Sequence, residues 1–204
     1  MIEKTSAPNH HADHAGFSGL VGLVAALSMV VGRDGDARLA ARLSTVRSGD
    51  VVVDIGCGPG VAARHAARLG ASVTAVDPAP VMLRVARLLT RRSASVRYVE
   101  GTAEALPAAQ GSVSVAWSIA TVHHWADLDA GLREARRVLR RGGRLVAIER
   151  RTLSGARGHA SHGWTEAQAE AFAERCREHG FLDVRIERST YGRRSTVSVV
   201  ATAP

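Results

Sequence analysis

Lysine is nearly missing from this sequence: Lys4 is the only one, so arginine supplies the other 26 of 27 basic residues, against 19 acidic ones. The resulting formal charge of +8 and pI near 11.0 invite a nucleic-acid or anionic-surface reading. Codon usage explains an arginine bias of this kind more simply. The arginines are also dispersed over many predicted helices instead of forming one block, as a solvated, generically basic surface does. Cysteine is scarce as well. Cys57 and Cys176 stand far apart in unlike contexts, which excludes a disulfide framework and fits a reduced, cytoplasmic protein. No apolar run is long enough for a membrane. Phe17 to Val31 falls short of the ~20 residues that a crossing helix needs, and it is diluted by glycine and serine. As a signal-peptide core it is flanked wrongly, because the residues before it hold Glu3, Asp13 and three histidines with a single lysine. A chain of 204 residues nevertheless buries enough surface to fold without a disulfide or metal staple.

Along the chain, residues 1 to 16 are polar and histidine-rich, and 17 to 31 suit a buried helix. A further helix is predicted from Asp36 as N-cap, with Leu39, Leu43 and Val46 at helical spacing. From position 50 short β-branched runs alternate with amphipathic helices. Strands are predicted near Val51 to Ile55, Ser72 to Val76, Val96 to Val99, Val113 to Trp117 and Arg144 to Glu149, and helices near Val61 to Leu69, Pro80 to Thr90 and Leu128 to Leu139. Such alternation means right-handed βαβ units and a parallel sheet covered on both faces. Thr165 and Gln168 hold capping-box positions for a last helix to about His179. Two final strands, Asp183 to Arg188 and Thr196 to Ala201, turn around Gly192 into an antiparallel pair. The fold class expected is α/β: a Rossmann-like, doubly wound, seven-stranded sheet, mostly parallel with a C-terminal antiparallel hairpin. Residues 1–48 are expected to form a helical cover or substrate segment and 49–204 the ligand-binding domain.

The first strand runs straight into Gly56-Cys57-Gly58-Pro59-Gly60 and a helix, presenting backbone N–H groups to a ligand at the strand's carboxyl end. The dinucleotide fingerprint wants glycine at the first, third and sixth positions. Here the sixth is Val61 and the third glycine comes one residue early, which disfavours NAD. The absence of Gly-Lys-Ser/Thr disfavours an NTP-binding loop. The second strand ends in Asp77, 21 positions after Gly56, where a carboxylate accepts both hydroxyls of a ribose. The ligand expected is a nucleoside with no pyrophosphate requirement.

Four ordered motifs, VVVDIGCGPG at 51–60, VTAVDPAP at 73–80, EGTAEALP at 100–107 and SIATVHHWADLDAGLREARRVLRRGGRLV at 118–146, resemble the class I S-adenosylmethionine-dependent methyltransferases of the small-molecule type often grouped as type 11. The resemblance spans about half the chain. It implies S-adenosylmethionine as cofactor and S-adenosylhomocysteine as product. It puts Asp54, Gly56, Gly58 and Gly60 at the methionine end, Asp77 with the following Pro78 at the ribose, and Thr102, Ala103 and Glu104 at the adenine edge. Ser118 and its neighbours would face the methyl group. Thr102 stands where the family more often has aspartate, and Arg141 where it has proline.

Methyl transfer from a sulfonium is an in-line displacement with a good leaving group, so the protein mainly orients and dehydrates. A protonated oxygen, nitrogen or thiol acceptor gains from a general base, a role for which histidine is suited. Seven of the nine histidines lie in three loops: His10, His11 and His14; His123 and His124; His159 and His162. Four roles fit them. They are surface and capping contacts, a general base with His123 and His14 as the best candidates, a hold on the methionine end, and a metal site built from His10, Asp13, His14 and a partner loop. The two catalytic candidates are carried forward, and no residue is assigned to a metal. Trp125 and Phe17 are candidates to pack against a cationic sulfonium. Cys57, inside the loop, is read as a packing residue.

The acceptor expected is a small molecule. The segment Ser118-Ile119-Ala120-Thr121 lacks the Asn/Asp-Pro-Pro-aromatic box of amino-directed nucleic-acid enzymes and the Pro-Cys of cytosine C5 enzymes, so nucleic acid is disfavoured. A non-catalytic nucleoside-binding relative is the remaining alternative.

Overall fold

The computed structural model describes residues 7–11, 34–91, 94–192 and 194–204, with the side chains of 159 and 160 excepted. His14, Asp13, Phe17 and the apolar segment 17–31 lie outside the described residues. In chain order the elements are α1 (Asp34–Ser44), β1 (Val51–Ile55), α2 (Val61–Arg68), β2 (Ser72–Asp77), α3 (Pro80–Leu89), β3 (Val96–Glu100), β4 (Val113–Ile119), α4 (Leu128–Val138), β5 (Leu139–Arg150), α5 (Glu166–Glu178), β6 (Leu182–Tyr191) and β7 (Arg194–Thr202). Short 3-10 turns occupy Val122–His124 and Gly158–Ser161.

The strands form one seven-stranded sheet in the order β3-β2-β1-β4-β5-β7-β6. The first five are parallel, whereas β7 runs antiparallel to both β5 and β6. Every residue of β4 is buried, as a central strand sandwiched between helical layers requires. On one face Leu132, Ala135 and Val138 of α4 and Ala169, Phe172 and Cys176 of α5 pack against Leu145 and Ala147 of β5. On the other, Leu39 and Ala40 of α1 and Ala63 and Ala66 of α2 pack on Val52, Val115 and Ile148. The chain winds outward in both directions from β1 and β4, which leaves a crevice beyond the carboxyl ends of these neighbours, where such sheets bind ligands.

Two boundaries differ from the sequence reading, each with a consequence for the site. Helix α1 starts at Asp34, so Asp36 is not its N-cap but a buried residue of its first turn. The Asp36 carboxylate accepts the Tyr191 hydroxyl and pairs with Arg194 at 2.9 Å, joining α1 to the C-terminal hairpin. Strand β4 runs two residues past Trp117, to Ile119, so Ser118 lies within the sheet and not after it. The capping box at Thr165 and Gln168 is present with both reciprocal bonds.

Candidate active site

Where β1 ends, the backbone must turn sharply into α2, and Gly56, Gly58 and Gly60 all take positive φ, at 71°, 51° and 75°. A side chain is excluded at two of these for a further reason. A Cβ on Gly56 would lie 2.6 Å from the Thr121 side chain, and one on Gly60 would lie 2.3 Å from the Tyr98 hydroxyl. The loop is tied to β2 by the N–H groups of Gly56 and Cys57, which both donate to the Val76 carbonyl at 2.8 and 2.9 Å. Asp77 completes the tie: its Oδ2 accepts from Gly58 N at 2.8 Å and its Oδ1 from Ala79 N at 2.9 Å.

These residues form one wall of a cleft of about 530 Å³, a size suited to a small ligand. Asp54, Gly56, Cys57, Gly58, Pro59, Asp77 and Met82 line that wall. Asp54 is buried and its Oδ2 has no hydrogen-bond partner in the protein. Burial raises its carboxyl to about 7, and the nearby Asp77 charge adds to the rise against the opposing Trp117 indole N–H and Ala63 backbone N–H. A carboxylate so placed is unsatisfied until a cation or donor reaches it. Burial raises the Asp77 carboxyl too, against the two backbone donors. It pushes the Cys57 thiol well up, which keeps this loop cysteine a packing residue and not a nucleophile.

The rest of the lining comes from the ends of β4 and β5 and the turns after them and includes Ile119, Ala120, Thr121, His123, His124, Arg150 and His162. Ala120 holds a left-handed conformation, φ 56°, with its N–H donating to the Ile148 carbonyl at 2.7 Å. This kink ends the strand and turns the chain into the 3-10 turn carrying His123 and His124. The turn is anchored by Glu149, a fully buried carboxylate on β5 that accepts from Val122 N at 3.0 Å and from His123 Nδ1 at 2.9 Å. His123 therefore keeps its Nδ1 on the carboxylate and has Nε2 left for the cleft it lines. His124 is half-buried beside it. Burial, reinforced by the adjacent His123, pushes its imidazole down to about 4, so it is uncharged near neutral pH.

Three further imidazoles converge here. The N-terminal segment pairs with the turn through His11 N to the His123 carbonyl at 2.8 Å, and the rings of His10, His11, His123, His124 and His162 form a chain of contacts with centroids 4.1 to 6.0 Å apart. His10 Nε2 donates to the Ser161 carbonyl at 2.9 Å while Nδ1 accepts from Gln168 at 3.1 Å, so both its nitrogens are committed.

Of the residues singled out in the sequence, Asp54, Gly56, Gly58, Asp77 and His123 share this cleft. Gly60, which is buried, and Pro78, which is exposed, are not among its lining residues. Thr102 is exposed outside it, Ala103 packs in the core and Glu104 accepts from Asp127 N at 3.1 Å. Ser118 is fully buried against Thr121 at 2.6 Å, and Trp125 packs on Phe172 in the core, away from the cleft. Sequence reasoning grouped His162 with the other loop histidines but missed Glu149 and the Asp36–Arg194 pair that closes the rim.

Residues 53–147 match the family model described as "Methyltransferase domain". The chain is 37% identical over 125 residues to a malonyl-[acyl-carrier protein] O-methyltransferase of Pseudescherichia vulneris, covering 61% of this chain and 47% of that one. To a ubiquinone biosynthesis O-methyltransferase of a Methylobacterium species it is 39% identical over 101 residues, 49% of this chain and 41% of that one. The chain thus spans about half the length of the curated relatives it matches. Among solved structures, a SAM dependent methyltransferase from Aquifex aeolicus shares the fold with a TM-score of 0.72 at 16% identity, over 89% of this chain and 98% of that one.

Proposed function

We propose that this chain, whose residues 53–147 match a methyltransferase domain, is a class I S-adenosylmethionine-dependent methyltransferase and that it methylates a small-molecule acceptor seated against the histidines of the cleft. One observation carries the reading: a single cleft joins the glycine loop with its two acidic partners to a histidine held by a buried glutamate. The residues fit the cofactor. The Asp54 Oδ2, which has no hydrogen-bond partner in the protein, suits the ammonium of the methionine end, and each Asp77 oxygen retains a lone pair for a ribose hydroxyl. The cofactor, when bound, supplies an electrophilic methyl group on a sulfonium. The protein's own work is to orient the acceptor, exclude water and take the acceptor's proton. We assign the last task to His123 through Nε2, with Glu149 fixing the ring as a positioning residue. Residues 1–48 are the cover of this site and 49–204 its cofactor-binding unit, a division supported by the contacts of residues 7–11 with His123, Ser161 and Gln168 and by Asp36 on the rim.

A nucleic-acid acceptor is disfavoured by where the charge lies. A groove lined by Arg133, Arg136, Arg137, Arg140 and Arg141 opens near the start of β5, at the amino ends of the parallel strands, whereas the cleft lies at their carboxyl ends. We place the protein in the cytoplasm, a reading supported by two unpaired, buried cysteines. Among the described residues no helix is long and apolar enough to cross a membrane. Both named relatives are O-methyltransferases, so a screen begins with small hydroxylated acceptors. The expected result is acceptor-dependent release of S-adenosylhomocysteine. Release with tRNA alone, or tight cofactor binding with no turnover on any acceptor, would overturn the reading.

The Asp54 carboxyl gives this proposal a pH signature. Its value of about 7, against an ordinary 3.8, means that below about pH 7 a proton must leave before a cationic ligand can be paired. Affinity for S-adenosylhomocysteine is expected to fall by roughly tenfold per pH unit below 7 and to level above it. The ligand-free protein carries the opposite sign, because a raised folded-state value makes it lose stability as pH rises from about 4 to about 7. The thermal shift produced by S-adenosylhomocysteine is therefore larger at pH 8 than at pH 5.5. Equal shifts at the two pH values would remove Asp54 from the ligand contacts.

A further inference from the structure

We infer that His123, His124 and His162 form a binding site for a divalent transition-metal ion of the zinc class on the acceptor side of the cleft. One ring nitrogen from each of the three lies within 4.8 Å of the other two. Tetrahedral coordination at Zn–N distances of about 2.0 to 2.1 Å places neighbouring nitrogens about 3.4 Å apart. Closing the site thus takes ring displacements of about an ångström, within the reach of small side-chain rotations. The ligands come from two turns remote in sequence, one after β4 and one after β5, and the 3-10 geometry of the first brings the rings of the adjacent His123 and His124 to 4.1 Å.

The surroundings of the three rings have the form that metal-ligating histidines take. His123 gives its Nδ1 to the buried Glu149 carboxylate, the arrangement that fixes a ligating imidazole's tautomer and orientation and strengthens it as a donor. His124 Nδ1 faces the His11 carbonyl at 3.5 Å, leaving its Nε2 as the ligand atom. The His11 ring stacks on His162 at 4.5 Å with planes 16° apart, covering that ligand from the N-terminal side. His10 is not a ligand, since Ser161 and Gln168 take both its nitrogens. Glu149 is not one either, because its oxygens are held by Val122 N and His123. Three imidazoles with no carboxylate oxygen select zinc, cobalt, nickel or copper over magnesium and calcium, which demand oxygen donors. The fourth position faces the cleft, as in sites that hold a water or a substrate atom. An acceptor hydroxyl or thiol is the group it would take.

The site stands on geometry and does not depend on methyl transfer, yet it meets that reading at one atom. A cation and a proton compete for His123 Nε2, so an ion-loaded protein has His123 as ligand and an ion-free protein has it as base. The test uses the tag-free, full-length protein, chelator-treated and dialysed, titrated with Co²⁺ as the spectroscopic probe and then with Zn²⁺ in competition. One equivalent of cobalt with the visible bands of a four- or five-coordinate ion, displaced by zinc, is expected. His124→Ala and His162→Ala should each weaken cobalt binding by at least tenfold, and Glu149→Gln by roughly ten- to a hundredfold. His65→Ala, on α2 outside the cluster, should leave it unchanged. The circular dichroism of each variant checks that it is folded. Absence of cobalt bands, or binding undiminished in His162→Ala, overturns the site. A parallel titration of the same metal-free protein with S-adenosylhomocysteine keeps the two readings apart, since either ligand can bind while the other fails.

Discussion

Asp77→Ala abolishes measurable cofactor binding: in a calorimetric titration with S-adenosylhomocysteine the expected loss is at least a hundredfold. The side chain does two jobs at once. Its oxygens hold the glycine loop to the end of β2 through Gly58 N and Ala79 N, at 2.8 and 2.9 Å, and their remaining lone pairs face the cleft. Hydrogen bonds to a charged acceptor contribute about 1.5 to 3 kcal/mol each, so loss of two contacts to ribose hydroxyls alone amounts to two or more powers of ten. Asp77→Asn isolates part of the effect, because one side-chain oxygen remains for a backbone donor while the amide nitrogen cannot accept. Its affinity should fall between those of the wild type and the alanine variant. The circular dichroism of both variants checks that the sheet is formed, since a loosened loop at the carboxyl end of β1 leaves the seven strands in place. Binding within threefold of wild type in Asp77→Ala would remove the carboxylate from the ligand site.

This prediction rests on residues that were legible in the sequence, and the reasons are local. A glycine-rich turn between a β-branched run and a helix specifies its own backbone, and an acid at the end of the next strand falls beside it because parallel strands are in register, Asp54 opposite Ala75 and Ile55 opposite Val76. The alternation of strands and helices carried the topology in the same way, up to the C-terminal hairpin of β6 and β7. The three histidine loops were visible in the sequence but which of their rings meet was not, because His11, His123 and His162 come together only once β4 and β5 are paired and the N-terminal segment is laid across them. One signal did exist. Alternation along Leu145 to Glu149 puts Glu149 on the same face of β5 as Leu145 and Ala147, which pack in the core. A carboxylate on an apolar face needs a buried partner, and an imidazole elsewhere in the chain is an obvious one. Ser118 was misplaced by the reverse error: ending the strand at Trp117 put into a loop a residue that pairs with Ile55 inside the sheet.

His123→Ala leaves S-adenosylhomocysteine affinity within about threefold of wild type and lowers kcat by roughly 10²- to 10⁴-fold, the range that a positioned general base supplies. Binding is spared because the residues that fit the cofactor are Asp54, the glycine loop and Asp77, and none of them takes a hydrogen bond from the His123 side chain. Turnover is lost because the imidazole that the buried Glu149 carboxylate orients is gone. Glu149→Gln tests the positioning role separately. The amide keeps the volume of the buried side chain but not its charge, so the ring loses the carboxylate that holds its Nδ1–H. The expected signature is a lowered kcat with KM for the acceptor little changed, whereas a variant that had merely loosened the core would lose cofactor affinity and thermal stability together. His162→Ala then separates the proton's two routes. It leaves the His123–Glu149 pair intact and removes a ligand of the proposed metal site. In chelated buffer its turnover reports the base alone, and a rate near that of the chelated wild type assigns the proton to His123. A rate as low as that of His123→Ala under the same conditions would take the proton away from His123 and give His162 a role in the chemistry.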